Sequence, residues 1–363
     1  MALFKTQNVE IAGVTCVVPD NYIPVENFVE RFGEEAVNRF REGTGIGSIY
    51  NALPEQTAGD LACAAAEELF TKTGIEKEKI GIMVFVTQSP DYRRPSTACV
   101  LQKRLDLPME CATMEVELGC SGFLYGFQTA LSMMATSDTE YGLVLIGETA
   151  SKLVNPMDKS IVMMYGDAGA AILLKKTGAQ KIHTLLKSDG GRYKAIVLPA
   201  GGFRDMNPTH EKFLCSDGNE RSLYDIFMDG TAVFSFSITD IPKTIKEYLA
   251  LTETAISDYD VIVLHQANHY ILKQIIRRIR AEKEKVPVSL DRYGNTGGIS
   301  IPLTLCDKYG EQNSGERVRA LMSGFGIGLS WGVTSVYVNT DVIFPITKTS
   351  DYYKEGKFVP GQY

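Results

Sequence analysis

Near-continuous apolar runs recur along the chain, each broken by a polar or glycine-rich stretch. VEIAGVTCVV (9–18), IGIMVFVTQS (80–89), YGLVLIGE (141–148) and DVIVLHQAN (260–268) are apolar at almost every position rather than at alternate ones. That pattern predicts strands buried on both faces. Segments of helical period lie between them: 25–41, 57–75 (TAGDLACAAAEELFTKTGI), 229–249 and about 268–283. In the second of these, Thr57 suits the N-cap and Gly74 the C-terminal stop. Strands that alternate with helices predict an α/β fold, with mixed central sheets covered by helices.

The order of elements repeats. VELGCSGFLYGFQTALSMM (116–134) reads as strand, glycine-flanked turn and apolar helix. VPVSLDRYGNTGGISIPLTLCDKY (286–309) has the same layout, with Asn295 in the place of Cys120, and the pair of strands expected in 141–174 is matched by 317–338. The offsets agree, 175 from Cys120 to Asn295 and 178 from Thr87 to His265. Two halves are therefore expected, 1–177 and 178–340, related by internal duplication. Residues 189–228 are rich in Gly, Asp and Asn with little apolar periodicity, which predicts a lid or binding loop inserted in the second half. Residues 341–363 are polar and read as a surface tail. GTGIGS (43–48) lacks the full dinucleotide fingerprint and the P-loop lysine, so it reads as a turn.

Composition narrows the function. Apolar content of 44% and charged content of 22% are ordinary for a soluble globular protein. A net charge of −7 excludes a general nucleic-acid binder, and an anionic partner would need a local basic patch. No cationic run followed by an apolar core opens the chain, and no segment approaches the ~20 apolar residues of a membrane span, so neither a signal peptide nor a transmembrane helix is expected. Seven cysteines at irregular spacing without a CxxC predict reduced thiols and a cytoplasmic setting. The four histidines (183, 210, 265 and 269) have no cysteine or carboxylate cluster at zinc spacing, so no metal is expected.

Cys120 falls at the first turn of an apolar helix, where free N–H groups and the helix dipole favour the thiolate. Thiolate is the nucleophilic form. Taken singly, Cys120 reads equally as a packing cysteine, His265 as a strand-end histidine, and Asn295 in GNTGG as a turn residue. Their equivalent positions in a repeated unit, at the strand ends where open α/β sheets gather ligands, set them apart. A thiolate attacks an acyl carbonyl, while an imidazole and a carboxamide donate to an oxygen where negative charge develops.

GCSGF (119–123), LHQAN (264–268) and LDRYGNTGGISIPLTL (290–305) resemble the three active-site motifs of β-ketoacyl-acyl carrier protein synthase III, in the thiolase superfamily. SPDYRRPSTACVLQ (89–102), YGDAGAAILL (165–174) and GFGIGLSWG (324–332) support the resemblance, which runs from about 9 to 340. It implies the thiolase fold: duplicated βαβαβαββ halves in a five-layered αβαβα arrangement, paired as a homodimer. The Cys-His-Asn set implies decarboxylative condensation, since thiolases proper carry a second catalytic cysteine and hydroxymethylglutaryl synthases a glutamate. Cys120 would take an acyl group from an acyl-CoA or acyl carrier protein thioester, with no tightly bound cofactor. His265 and Asn295 would stabilise the enolate formed when the malonyl carrier loses carbon dioxide. Backbone N–H groups of Cys120 and Ile327 would form the oxyanion hole, with Asn268 and Gln266 shaping the loop.

The helix after LHQAN carries Lys273, Arg277, Arg278, Arg280, Lys283 and Lys285, and 273, 277 and 280 share a face. In the family this region docks the acidic carrier protein; the alternative is a solvated charged helix. Three positions depart from the family pattern. TGIGSIYN (44–51) has no cation, Tyr270 replaces an arginine, and Ile327 replaces the middle glycine of GFGGG. The first two weaken the expectation of a coenzyme A donor and favour a specialised pathway. Alternative readings are an acyltransferase of the same fold, with a hydroxyl or amine acceptor, and a subunit of a heterodimeric synthase.

Overall fold

The structure is a computed structural model that describes residues 2–312, 314–358 and 361. Two long strands, Ala2–Pro19 and Ala168–Ser188, run antiparallel through most of their length. Register shifts between Gln7 and Val9 and between Ile11 and Gly13 interrupt the pairing. Asn8, at the first shift, has a φ of 63°, a left-handed conformation that asparagine tolerates better than most residues. On one side of that bulge Val9–Val17 pairs with 169–176, and on the other Ala2–Gln7 pairs with 181–186.

Each half of this ribbon seeds a sheet. The first sheet continues from 168–175 to the antiparallel strand Tyr141–Glu148, then to the parallel strands Ile80–Val86 and Ala112–Val116. The second continues from 183–188 to Ser330–Asn339, Arg317–Gly326 and Val261–Leu264.

Alternation along the strands generates the layers. Val84, Val86, Val144 and Ile146 face a central apolar core shared with Val261, Val263, Ala320 and Met322 of the second sheet. Phe123, Phe127 and Leu131 of the helix Gly122–Ala135, and Leu303 and Leu305 of Ser300–Tyr309, fill that core. The intervening residues Met83, Phe85, Leu143 and Leu145 pack outward against Leu61, Ala65 and Leu69 of the helix Ala58–Thr73. Ile262, Leu264, Leu321 and Val333 pack outward against Ile241 and Ile245 of Gly230–Leu251 and Ile275 of His269–Ile279. The result is a five-layered αβαβα arrangement. The capping expected for Ala58–Thr73 is present: Thr57 and Asp60 form a reciprocal box, and Gly74 closes the helix at φ 64°.

Four expectations need correction. The boundary placed at 177/178 lies inside the strand Ala168–Ser188, which therefore runs through both halves. VPVS (286–289) forms no strand. The Gln266 side chain occupies its backbone groups instead, accepting from Ser289 N–H at 3.1 Å and donating to the Pro287 carbonyl at 3.5 Å. The stretch 189–228 is not a bare loop, because Ile196–Val197 pairs with Phe227–Met228 and Phe213–Leu214 with Glu220–Arg221. The stretch read as a surface tail is packed as far as it is described. Thr347–Thr349 adds a parallel strand beside Val17–Pro19, Ile343 is buried, and Gln56 Nε2 donates to the Thr349 and Asp351 carbonyls at 3.1 Å. Residues 359, 360, 362 and 363 of that tail lie outside the described residues.

Candidate active site

Cys120 lies in the turn between the strand Ala112–Val116 and the helix Gly122–Ala135, with Ser121 as the N-cap residue. The loop around Ile327 closes over it. Glycine is required at 326, since a Cβ there would come within 2.6 Å of Cys120 Cβ and 3.0 Å of its Sγ. Hydroxyls tie the two loops together. Ser330 Oγ donates to the Ile327 carbonyl at 2.8 Å, so it accepts from Ser121 Oγ at 2.6 Å. The backbone N–H groups of Ile327 and of Cys120 itself face the sulfur and hold its pKa down.

Those donors are outweighed. Burial, and then the nearby Glu148 carboxyl, push the Cys120 thiol up to about 12. The expectation of a resting thiolate is therefore corrected. The dipole and N–H groups are in place, but the sulfur is too deeply desolvated for them to ionise it at neutral pH.

His265 ends the strand Val261–Leu264 and is buried, with its ring edge-on to Phe325 at 5.3 Å. Nδ1 is 2.8 Å from Ser300 Oγ, which accepts the Gln266 N–H at 3.4 Å. The Ser300 proton is thus available to Nδ1, which places the ring proton on Nε2. Burial lowers the His265 pKa to about 4. At neutral pH the ring is uncharged and acts as a donor.

Asn295 is held by its backbone on both sides: its N–H donates to the Met164 carbonyl at 2.8 Å and its carbonyl accepts from Gly166 N–H at 3.1 Å. Its Oδ1 accepts from Gly297 N–H at 3.0 Å, so Nδ2 is the donor end of the side chain. Gly297, whose N–H Asn295 Oδ1 accepts, also lines the cavity of about 70 Å³ into which Cys120 opens.

Of the expected residues Cys120 and Ile327 line this cavity, while His265, Asn295 and the others do not. Asn268 caps His269–Ile279 by accepting from Ile271 N–H at 2.8 Å. Lys273, Arg277 and Arg278 are exposed on that helix, while Tyr270 stacks on Phe234 at 5.4 Å.

Two ionisable cavity residues escaped the sequence reading, Glu148 and Tyr165. Glu148 ends the strand Tyr141–Glu148 and is buried. Its Oε1 accepts from Gln88 N–H at 3.0 Å and its Oε2 from Ser89 Oγ at 3.1 Å. Burial pushes its pKa up to about 8. A charged residue closing a run apolar on both faces was the available signal. Tyr165 had none, because only the pairing of its backbone opposite Asn295 brings it to the site.

Residues 114–190 match the family 3-oxoacyl-[acyl-carrier-protein (ACP)] synthase III, and residues 249–338 match its C-terminal region. A β-ketoacyl-[acyl-carrier-protein] synthase III of Clostridium perfringens is 31% identical over 334 residues, covering 91% of this chain and 99% of the relative. One of Caldanaerobacter subterraneus is 33% identical over 292 residues, covering 79% and 85%. The crystal structure of a 3-oxoacyl-(acyl-carrier protein) synthase from Burkholderia xenovorans superposes with a TM-score of 0.90 at 32% identity, covering 96% of this chain and 99% of the other. With its five-layered fold, the chain belongs to the β-ketoacyl-[acyl-carrier-protein] synthase III family of condensing acyltransferases.

Proposed function

We propose that the protein accepts an acyl group on Cys120 and condenses it with a malonyl-acyl carrier protein, releasing carbon dioxide. The observation that carries this reading is the Cys120 turn: the N–H groups of Cys120 and Ile327 face its sulfur, beside a cavity lined by Gly297, whose N–H Asn295 Oδ1 accepts. Cys120 attacks the carbonyl of the donor thioester, and the departing thiol takes the sulfhydryl proton. Decarboxylation of the malonyl group leaves an enolate, whose oxygen takes hydrogen bonds from His265 Nε2 and Asn295 Nδ2. The enolate carbon attacks the acyl-cysteine, and the oxygen of that intermediate takes the N–H groups of Cys120 and Ile327. Collapse frees Cys120 and leaves a β-ketoacyl carrier thioester. A neutral His265 suits this role, because a donor is needed and a cation is not.

The carrier protein docks, in this reading, on the exposed Lys273, Arg277 and Arg278, a cationic face on an acidic protein. The protein works as a homodimer: Ala112–Val116 ends its sheet with a partner on one side only, and Met109 and Met114 are exposed beside it. Seven free cysteines support a reducing cytoplasmic setting.

The test incubates the protein with acyl-CoA and acyl carrier thioesters, weighs the Cys120 peptide, then adds malonyl carrier and measures carbon dioxide. An acyl adduct discharged with stoichiometric carbon dioxide release is expected. Discharge to a hydroxyl or amine without carbon dioxide release would replace condensation by simple acyl transfer.

A further inference from the structure

The Cys120 cavity carries three polar side chains that the chemistry above does not use, Gln88, Glu148 and Tyr165, of which the last two are ionisable. Most of its side chains are apolar: Leu153, Val154, Ile196, Ile226 and Ile327 line it. Gln88, Glu148 and Tyr165 interrupt that lining. Each Glu148 oxygen accepts one hydrogen bond from the protein, from Gln88 N–H and from Ser89 Oγ. A carboxyl oxygen has a second lone-pair site, and the neutral acid also has a proton to give. The Tyr165 hydroxyl makes no hydrogen bond to protein among the described residues. Tyr165 lies opposite Asn295, and it and Glu148 line the same cavity as Cys120.

Buried polar groups cost free energy unless a partner is supplied. An unsubstituted alkyl chain would fill the cavity, leave the Tyr165 hydroxyl without one, and leave the second lone-pair sites and the proton of Glu148 unused. A hydroxyl accepts from one and donates to the other. The volume, about 70 Å³, limits the chain length. One water needs ~10–15 Å³ on this scale, so the space suits a chain of about five heavy atoms.

We infer that the acyl group loaded on Cys120 is short and hydroxyl-bearing, its hydroxyl held by Glu148 and Tyr165. This rests on Cys120 being the acyl acceptor. In the step itself the Cys120 S–H and the donor thioester exchange partners. A new bond forms between Sγ and the acyl carbon, the old carbon–sulfur bond breaks, and the released thiol carries the proton. The hydroxyl is not consumed.

N-acetylcysteamine thioesters take the natural carrier out of the comparison. Butyryl is matched against 2-, 3- and 4-hydroxybutyryl thioesters, and the rate of adduct formation on Cys120 is followed by mass. At least one hydroxybutyryl thioester is expected to react about tenfold faster than butyryl or more. Tyr165→Phe and Glu148→Gln are each expected to bring that ratio toward one, with melting temperature as the check on folding. Equal or faster acylation by butyryl in the unsubstituted protein would overturn the inference and leave the role of Cys120 intact. A preference that survives in both variants would overturn the assignment to Glu148 and Tyr165. Absence of any adduct from all four thioesters would remove the acyl-acceptor reading, and this inference with it.

Discussion

Glu148 offers a sharp test of the site's electrostatics, because its effect on stability has a sign and a pH window. The folded protein holds the Glu148 proton up to about pH 8, against an ordinary value of 4.5. Between those values the unfolded chain has released a proton that the folded chain keeps, so stability falls as pH rises through the window and levels off above it. A span of about 3.5 pH units at 1.36 kcal/mol each comes to about 5 kcal/mol in full, and about 3 kcal/mol at pH 7. Glu148→Gln is neutral at every pH and nearly isosteric. Its amide oxygen takes the Gln88 N–H, and its NH2 donates to a rotated Ser89 hydroxyl. The variant should match the parent near pH 4.5 and exceed it by about 3 kcal/mol at pH 7. Contributions from Asp167, raised by burial, and His265, lowered by it, are common to both proteins and cancel to first order. Denaturant unfolding of both proteins from pH 5 to 9 at one protein concentration measures the gap. A gap that stays flat between pH 5 and 8, or a variant less stable at pH 8, would refute a neutral buried carboxyl at 148.

Three other perturbations probe separate parts of the structure. Gly326→Ala would place a methyl 2.6 Å from Cys120 Cβ, and Cys120 acylation should fall by about a hundredfold or more by mass, with secondary structure by circular dichroism retained. Arg221 and Asp158 form a buried ion pair, with Arg221 Nε donating to Asp158 Oδ2 at 2.7 Å. Arg221→Ala strands that carboxylate at a cost of about 3–5 kcal/mol, and limited proteolysis should then cut within 200–215 far faster. Replacing Lys273, Arg277 and Arg278 together by Glu should raise KM for malonyl carrier protein about tenfold at low salt and flatten its salt dependence, without changing acylation by N-acetylcysteamine thioesters; an unchanged KM would remove the docking assignment.

How much of this was legible depended on how local the signal was. The helix Ala58–Thr73 was read with both caps, because Thr57, Asp60 and Gly74 act within a turn of the elements they bound. The central strands were read because burial on both faces leaves an unbroken apolar run. The two long strands were read only in part. ALFKTQN and KKTGAQKIH are polar at many positions, and they are strands because they pair with each other and with Ser330–Asn339. VPVS misled in the opposite direction, since a side chain from a distant loop, Gln266, satisfies its backbone. Cys120, His265 and Asn295 stood out through the repeat, and of the three only Cys120 lines the cavity. The protonation state of Cys120 was not legible, because desolvation depends on everything packed around the turn. Glu148 reaches the cavity from a strand end and Tyr165 from an isolated bridge to Asn295, and their meeting is purely tertiary.

The bulge at Asn8 shapes how the chain is completed on the ribosome. Residues 2–7 have no partner until 181–186 has been made, and 183–188 in turn waits for 330–335 to flank it. The first strand of the protein is therefore among the last to be fully covered, and contacts of this range make for slow folding. A fragment ending at 177 would carry an orphaned N-terminal strand, with its edge open to pair with another chain. Such a fragment should aggregate alone, and it should recover solubility and acyl-accepting activity only when co-expressed with the remainder.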